Sequence, residues 1–143
     1  MLSKSSKYAI KGVLFLALNS DEKKKVQAKD LSAPINAPSS YIAKLLQELV
    51  RHGIVSSLKG PKGGFYLNDD NRQVSVMRIV DVIDGHDKFS SCMLSLEECD
   101  AENPCPLHDL VSNGKSEVVK NLENTTIEAL VSEIQLGKSV LPL

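Results

Sequence analysis

The sequence has no thiol outside one short segment: its 3 cysteines are Cys92, Cys99 and Cys105. An odd number rules out a disulfide framework that uses every sulfur. A thiol-poor chain fits the cytosol, where a tight Cys/His group reads as metal-binding or redox-active, so a cytoplasmic protein is expected. Long hydrophobic runs are missing too. The run Val13-Leu14-Phe15-Leu16-Ala17-Leu18 falls far below the roughly 20 apolar residues that span a bilayer, so no membrane partner is expected. Lys4, Lys7 and Lys11 before it imitate a secretory signal, but no small-x-small cleavage site follows and Asn19-Ser20-Asp21-Glu22 ends it; a helix is the better reading. No internal repeat or low-complexity tract is present.

The chemistry of an enzyme is absent as well. No nucleophile and base stand at catalytic spacing, and no phosphate-binding loop is complete. Gly114-Lys115-Ser116 and Gly137-Lys138-Ser139 resemble the end of such a loop, yet the positions that need its earlier glycine hold Asp109 and Ser132.

Charge is divided along the chain. Residues 1–73 carry 12 Lys/Arg against 6 Asp/Glu, a net +6; residues 74–143 carry 5 against 12, a net −7, giving −1 for the whole. Solvated faces of opposite sign would account for this, but a basic half suits a polyanion-binding surface with the acidic half turned elsewhere.

Hydrophobic spacing predicts a helix through Ile10, Val13, Leu14, Ala17 and Leu18, then a short one through Val26, Ala28 and Leu31. Pro34 and Pro38 are expected to interrupt the second. A third helix starts around Pro38-Ser39-Ser40, with the stripe Ile42, Leu45, Leu46, Leu49 and Val50, and stops at Gly53. Ile54–Leu58 and Phe65–Leu67 read as strands around the loop Lys59-Gly60-Pro61-Lys62-Gly63-Gly64. That order is a winged helix-turn-helix. A fourth helix with Val76, Ile79, Val80 and Ile83 lies between Ser75 and Gly85. Residues 86–105 show no periodicity. A long helix follows through Leu107, Leu110, Val111, Val118, Val119 and Leu122, and Thr125-Thr126-Ile127-Glu128 is a capping-box pattern for a last short helix. The expected fold is mainly α with a small β-hairpin: a DNA-binding module over residues 1–73, and over 74–143 a helical dimerisation region containing the cysteine loop 86–108.

Residues at the start of a second helix of this kind enter the major groove, where base edges differ in donors and acceptors. Here they are Ser39, Ser40, Tyr41, Ala43 and Lys44, with Gln47 one turn on. Capping the helix is the commoner role for serines at such a site, but it does not explain the basic wing, so both roles together are expected. Lys59 and Lys62 at the tip of a glycine-rich hairpin put cations where phosphates or a minor groove lie.

Ser40-Tyr41-Ile42, His52-Gly53-Ile54-Val55-Ser56-Ser57 and the wing Lys59–Leu67 resemble the winged-helix regulators of the IscR/NsrR type, as do Lys7-Tyr8-Ala9 and Asn124-Thr125-Thr126-Ile127. The resemblance implies a homodimer held by the long C-terminal helix, binding an imperfect palindrome in double-stranded DNA and acting mostly as a repressor. It makes Lys7, Tyr8, Ser39, Ser40, Tyr41, Lys59 and Lys62 DNA-contact candidates, to which position adds Lys44. Lys59 stands where the family often has arginine, and Ala43 where the IscR type often has glutamate.

Three thiolates and the imidazole of His108 within 17 residues can complete the coordination of zinc or of an iron–sulfur cluster. Cys92-x6-Cys99-x5-Cys105-x2-His108 is similar to the loop that holds a [2Fe–2S] centre in the IscR type, with the first gap one residue longer. Cluster sensing is the leading expectation; zinc binding, thiol oxidation with no metal, and a winged-helix protein–protein module are the alternatives. Glu97, Glu98, Asp100 and Glu102 crowd the loop, and nearby anions disfavour thiolates.

Overall fold

A computed structural model describes residues 1–94 and 100–143. Helix α1 (Lys4–Asn19) buries Ala9, Val13, Leu16 and Ala17; α2 (Ala28–Ile35) and α3 (Ser39–Arg51) pack across it. Strands β1 (Ser56–Leu58) and β2 (Gly64–Tyr66) pair antiparallel, with Ser57 opposite Phe65. Then come the short α4 (Asp69–Arg72), α5 (Val76–Asp84), a 3-10 turn at His86–Lys88, α6 (His108–Glu123) and α7 (Ile127–Gln135). Among the described residues no helix is long and apolar enough to cross a membrane.

One core joins α1, α2, α3, α5 and α7. Leu16, Leu31, Leu46, Leu49, Ile54, Leu67, Ile79 and Ile127 are its largest fully buried side chains. The mainly helical fold with one small hairpin is the winged-helix arrangement anticipated, and α5 has the anticipated caps: Ser75 accepts from the Arg78 amide, and the Gly85 amide donates to Asp81. α3 also ends as expected. Gly53 takes φ +74°, a left-handed conformation easy only for glycine, and the Ile54 amide turns back to the Leu49 carbonyl at 3.0 Å.

Several details differ from the sequence reading: the first strand begins at Ser56, not Ile54, and the short α4 was not expected. Val26 is not helical: its amide and carbonyl both bond Phe65, at 2.9 and 2.8 Å, as a third rung beside the wing. Gly64 permits that approach, since a Cβ there would lie 2.8 Å from the Val26 oxygen. Pro34 does not stop α2, which continues to Ile35 and ends where Asn36 turns left-handed at φ 58°. In α7 the cap is Thr126, whose hydroxyl accepts from the Ala129 amide at 3.1 Å, while the Thr125 hydroxyl donates to the Asn121 carbonyl. Finally, α6 has no buried residue; Val118, Val119 and Leu122 lean on a satellite cluster of Met77, Val80 and Phe89, whereas Leu110 is 78% exposed.

Candidate nucleic-acid interface and thiol loop

The start of α3 is free of capping duty. Its cap position is Pro38, which makes no side-chain cap bond, so the suggestion that Ser39 and Ser40 serve as caps does not hold. Both serines are exposed, as are Lys44 and Gln47 on the following turn, because Ile42, Leu46 and Leu49 occupy the inward face. Tyr41 is tied to α1 instead: its hydroxyl shares a 2.5 Å hydrogen bond with the Ser5 hydroxyl, and its ring meets Tyr8 edge-on at 5.9 Å. Lys4 lies over the Tyr8 ring at 5.7 Å, and Lys7 is exposed on the same first turns of α1. Tyr8 and Tyr41 therefore meet where two helix starts come together, with Lys7 exposed one residue before Tyr8.

Lys59 and Lys62 are exposed at the hairpin tip. The tip is folded by the Gly63 amide donating to the Gly60 carbonyl at 2.9 Å. At the hairpin's base Lys25 sits over the Tyr66 ring at 4.9 Å, a cation that sequence order alone did not bring to the wing. Asn71 was also missed. It is 5% exposed, accepts from the Asn68 amide and the Ser56 hydroxyl, and donates to the Gly53 carbonyl, so it locks the wing's root to the end of α3.

Behind α1 lies Asp84. Burial would raise its carboxyl pKa, but hydrogen bonds from Ser3 and Ser6, aided by Lys88, outweigh burial and hold it below the ordinary carboxylate value.

In the thiol segment, Cys92 is buried, Cys105 is half-buried, and Cys99 lies outside the described residues. His108 begins α6, its amide donating to the Cys105 carbonyl at 3.0 Å. Lys115, two turns along, reaches the Ser91 carbonyl at 2.5 Å and so pins α6 beside Cys92. His108 walls a groove of about 540 Å³ with His86, Phe89, Ser90 and Lys115. Asp100 accepts from the Glu102 amide and the Asn103 side chain, and these bonds lower its pKa. The donor set suits zinc or an iron–sulfur cluster by its chemistry. Among the described residues, however, no three His, Cys, Asp or Glu side chains are gathered closely enough to hold a metal ion.

Comparison with known proteins agrees with this architecture. The Rrf2 family model, described as an iron-dependent transcriptional regulator, matches residues 2–133. A protein of Aquifex aeolicus named as an HTH-type transcriptional regulator is 31% identical over 134 residues, covering 92% of both chains. The HTH-type transcriptional regulator IscR of Pectobacterium atrosepticum is 28% identical over 131 residues, covering 92% of this chain and 79% of its own. Among solved structures, CymR, the global cysteine regulator of B. subtilis, superposes with a TM-score of 0.74 at 22% identity over 92% of this chain and 96% of that one. IscR of T. potens superposes at 0.71 with 17% identity, over 98% and 92%. The chain belongs to the Rrf2 family of transcriptional regulators and is not an enzyme.

Proposed function

We propose that this regulator is a cytoplasmic homodimer that grips an imperfect palindrome in duplex DNA, mostly as a repressor, and that the thiol loop sets how tightly. Residues 1–73 supply the DNA-binding surface and residues 74–143 the pairing surface. The observation that carries the DNA reading is the exposed, uncapped start of α3, braced by Tyr41 against α1 and flanked by the Lys59/Lys62 wing. Pairing is supported by apolar surface left open beside the loop: Leu110 is 78% exposed, Met93 54% and Leu94 52%. Two copies related by a two-fold axis would cover that surface and present two reading helices to two half-sites.

Cys92, Cys99, Cys105 and His108 are the residues to hold a [2Fe–2S] cluster. When bound, such a cluster supplies an iron-dependent, oxidant-sensitive tether between the loop and the start of α6. The chain's own part is to keep the two ends near each other, through the Lys115–Ser91 bond and the Cys105–His108 turn. A ligand can shift DNA affinity only by preferring one of two conformations of this segment. The second reading puts zinc or thiol oxidation in place of the cluster: a Cys3His set suits zinc as well as iron, and the half-buried Cys105 thiol is open to an oxidant.

Anaerobic purification and reconstitution, followed by absorbance, iron and sulfide analysis, separate the two. A coloured protein with about two iron and two sulfide per chain is expected for a [2Fe–2S] centre, and the Cys92/Cys99/Cys105→Ser triple variant should be colourless. Wild-type protein without iron after reconstitution removes the cluster; zinc found in its place supports the second reading. The DNA arm is tested by salt. Lys59→Gln with Lys62→Gln should lower the slope of log affinity against log salt by about one for each phosphate no longer neutralised, equally on any duplex. A wild-type protein whose duplex binding ignores salt would instead be a protein–protein module.

A further inference from the structure

Asp84 lies outside the winged-helix segment of the sequence, at the end of α5, yet both of its carboxylate oxygens are spent on the first turn of α1. The Ser3 hydroxyl donates to Oδ1; the Ser6 hydroxyl donates to Oδ2 at 2.7 Å, and the Ser3 amide reaches Oδ2 at 3.4 Å. Ser3 Oγ also accepts from the Ser6 amide at 3.0 Å, so the cap of α1 and its attachment to α5 are one hydrogen-bonded unit. Ser6 is completely buried. On the opposite side of the same turn, Ser5 bonds the Tyr41 hydroxyl, and Tyr8 one turn later meets the Tyr41 ring. The first turn of α1 is thus clamped between Asp84 and the third residue of α3.

We infer that Asp84 is a positioning residue for base reading: by fixing the first turn of α1 it fixes Ser5 and Tyr8, and through them the placement of Tyr41 at the start of α3. The inference rests on α3 being the helix that reads bases. Physical chemistry favours a carboxylate in this role. An anion at a helix N-terminus is stabilised by the unpaired amides and the helix dipole, and hydrogen bonds to a charged acceptor are stronger than neutral ones. Ser3 alone already caps α1; what Asp84 adds is attachment of that cap to a second helix. Placement matters because a bidentate contact to a base edge discriminates only when side chain and base are in register, whereas phosphate contacts tolerate displacement.

The test separates placement from folding. Wild-type protein selects a duplex from a randomised pool, and affinities for that duplex and its scrambled version are compared at one salt concentration. Asp84→Ala should lower the ratio of the two affinities about tenfold, the size of coupling expected when a shared network is broken. Affinity for the scrambled duplex should hardly change. Asp84→Asn, which keeps one acceptor, should fall between. The Ser3→Ala/Ser6→Ala pair, which removes the donors and leaves the carboxylate, should reproduce the loss, and it decides the matter if Asp84→Ala does not fold. An unchanged ratio, or equal weakening on both duplexes, overturns the inference and leaves Asp84 a structural cap. Ser40→Ala and Lys44→Ala serve as a separate control: if neither lowers the ratio, α3 is not the reading helix, whatever Asp84 does.

Discussion

Gly63→Ala is expected to cost the protein roughly tenfold or more in duplex affinity, a loss of about 1.4 kcal/mol or greater, with the melting transition little moved. A Cβ at Gly63 would stand 2.0 Å from the Leu58 carbonyl oxygen and 2.8 Å from its carbon, with the Lys59 carbonyl carbon at 2.9 Å. All three atoms are backbone, so no side-chain rotation relieves the clash. The two arms of the hairpin must separate, and the turn bond from the Gly63 amide to the Gly60 carbonyl goes with them. Lys59 and Lys62 then lose their common platform, and with it the ordering of two cations toward the phosphates. The core is spared because the tip is solvent-facing: Leu58 is 53% exposed, while Ile54, Val55 and Leu67, which anchor the wing's base, are buried on either side of it. Gly60→Ala is the informative contrast. Its Cβ meets nothing within 4 Å, and the substitution bears only the strain of φ +107°, so it should weaken binding less. Fluorescence anisotropy with a labelled duplex, paired with circular dichroism melts, reads both quantities; equal affinities for wild type and Gly63→Ala would mean that the wing does not contact DNA.

What the sequence revealed and what it concealed follow one physical division. Features that repeat along a single element were visible. The period of Ile42, Leu46 and Leu49 located α3, and the paired signals Ser75 and Gly85 bounded α5. The glycine-rich basic run located the wing tip. Features that depend on partners distant in the chain were not visible. Val26 lies 39 positions from Phe65, and nothing near it announces a β-bridge. Helix α4 contains only Asp69, Asp70, Asn71 and Arg72, with no apolar stripe; it exists because Asn68 and Asn71 cap each other reciprocally. In the sequence Arg72 is only one of the basic half's cations, yet it donates to the Ala17 carbonyl at 2.7 Å and to Glu128 at 3.1 Å, joining the end of α1 to α7. The DNA-facing candidates of α3 and the wing followed from their positions, and Lys7 and Tyr8 from the family resemblance, but the bracing of the α3 start through Ser5 and Asp84 required the fold. The thiol loop was named most easily of all, because its donors are local in sequence. Their convergence is the part that periodicity cannot address, and Cys99 lies outside the described residues.

Leu49→Ala should produce the opposite signature from the wing variant: a protein that melts roughly 10 °C or more lower yet reads DNA normally while folded. Leu49 is completely buried, and removing such a side chain costs about 2–5 kcal/mol because the cavity collapses only in part. Set against a total stability of about 5–15 kcal/mol, that is a large fraction. The site is poorly placed to relax. The Leu49 carbonyl receives the Ile54 and Val55 amides, at 3.0 and 3.5 Å, so the backbone at this residue holds the turn from α3 into the wing. Shifting it to fill the hole would strain that turn and the Asn71–Gly53 bond beside it. On the other face of the same helix Ser40, Lys44 and Gln47 are exposed, so the steepness of the salt dependence should match wild type below the transition. Affinity should fall only as the folded fraction falls. A variant that melts normally would show that α3 is not seated on the core as described. A changed salt slope in still-folded protein would show that the two faces of α3 are not independent, and that packing beneath the helix takes part in reading the duplex.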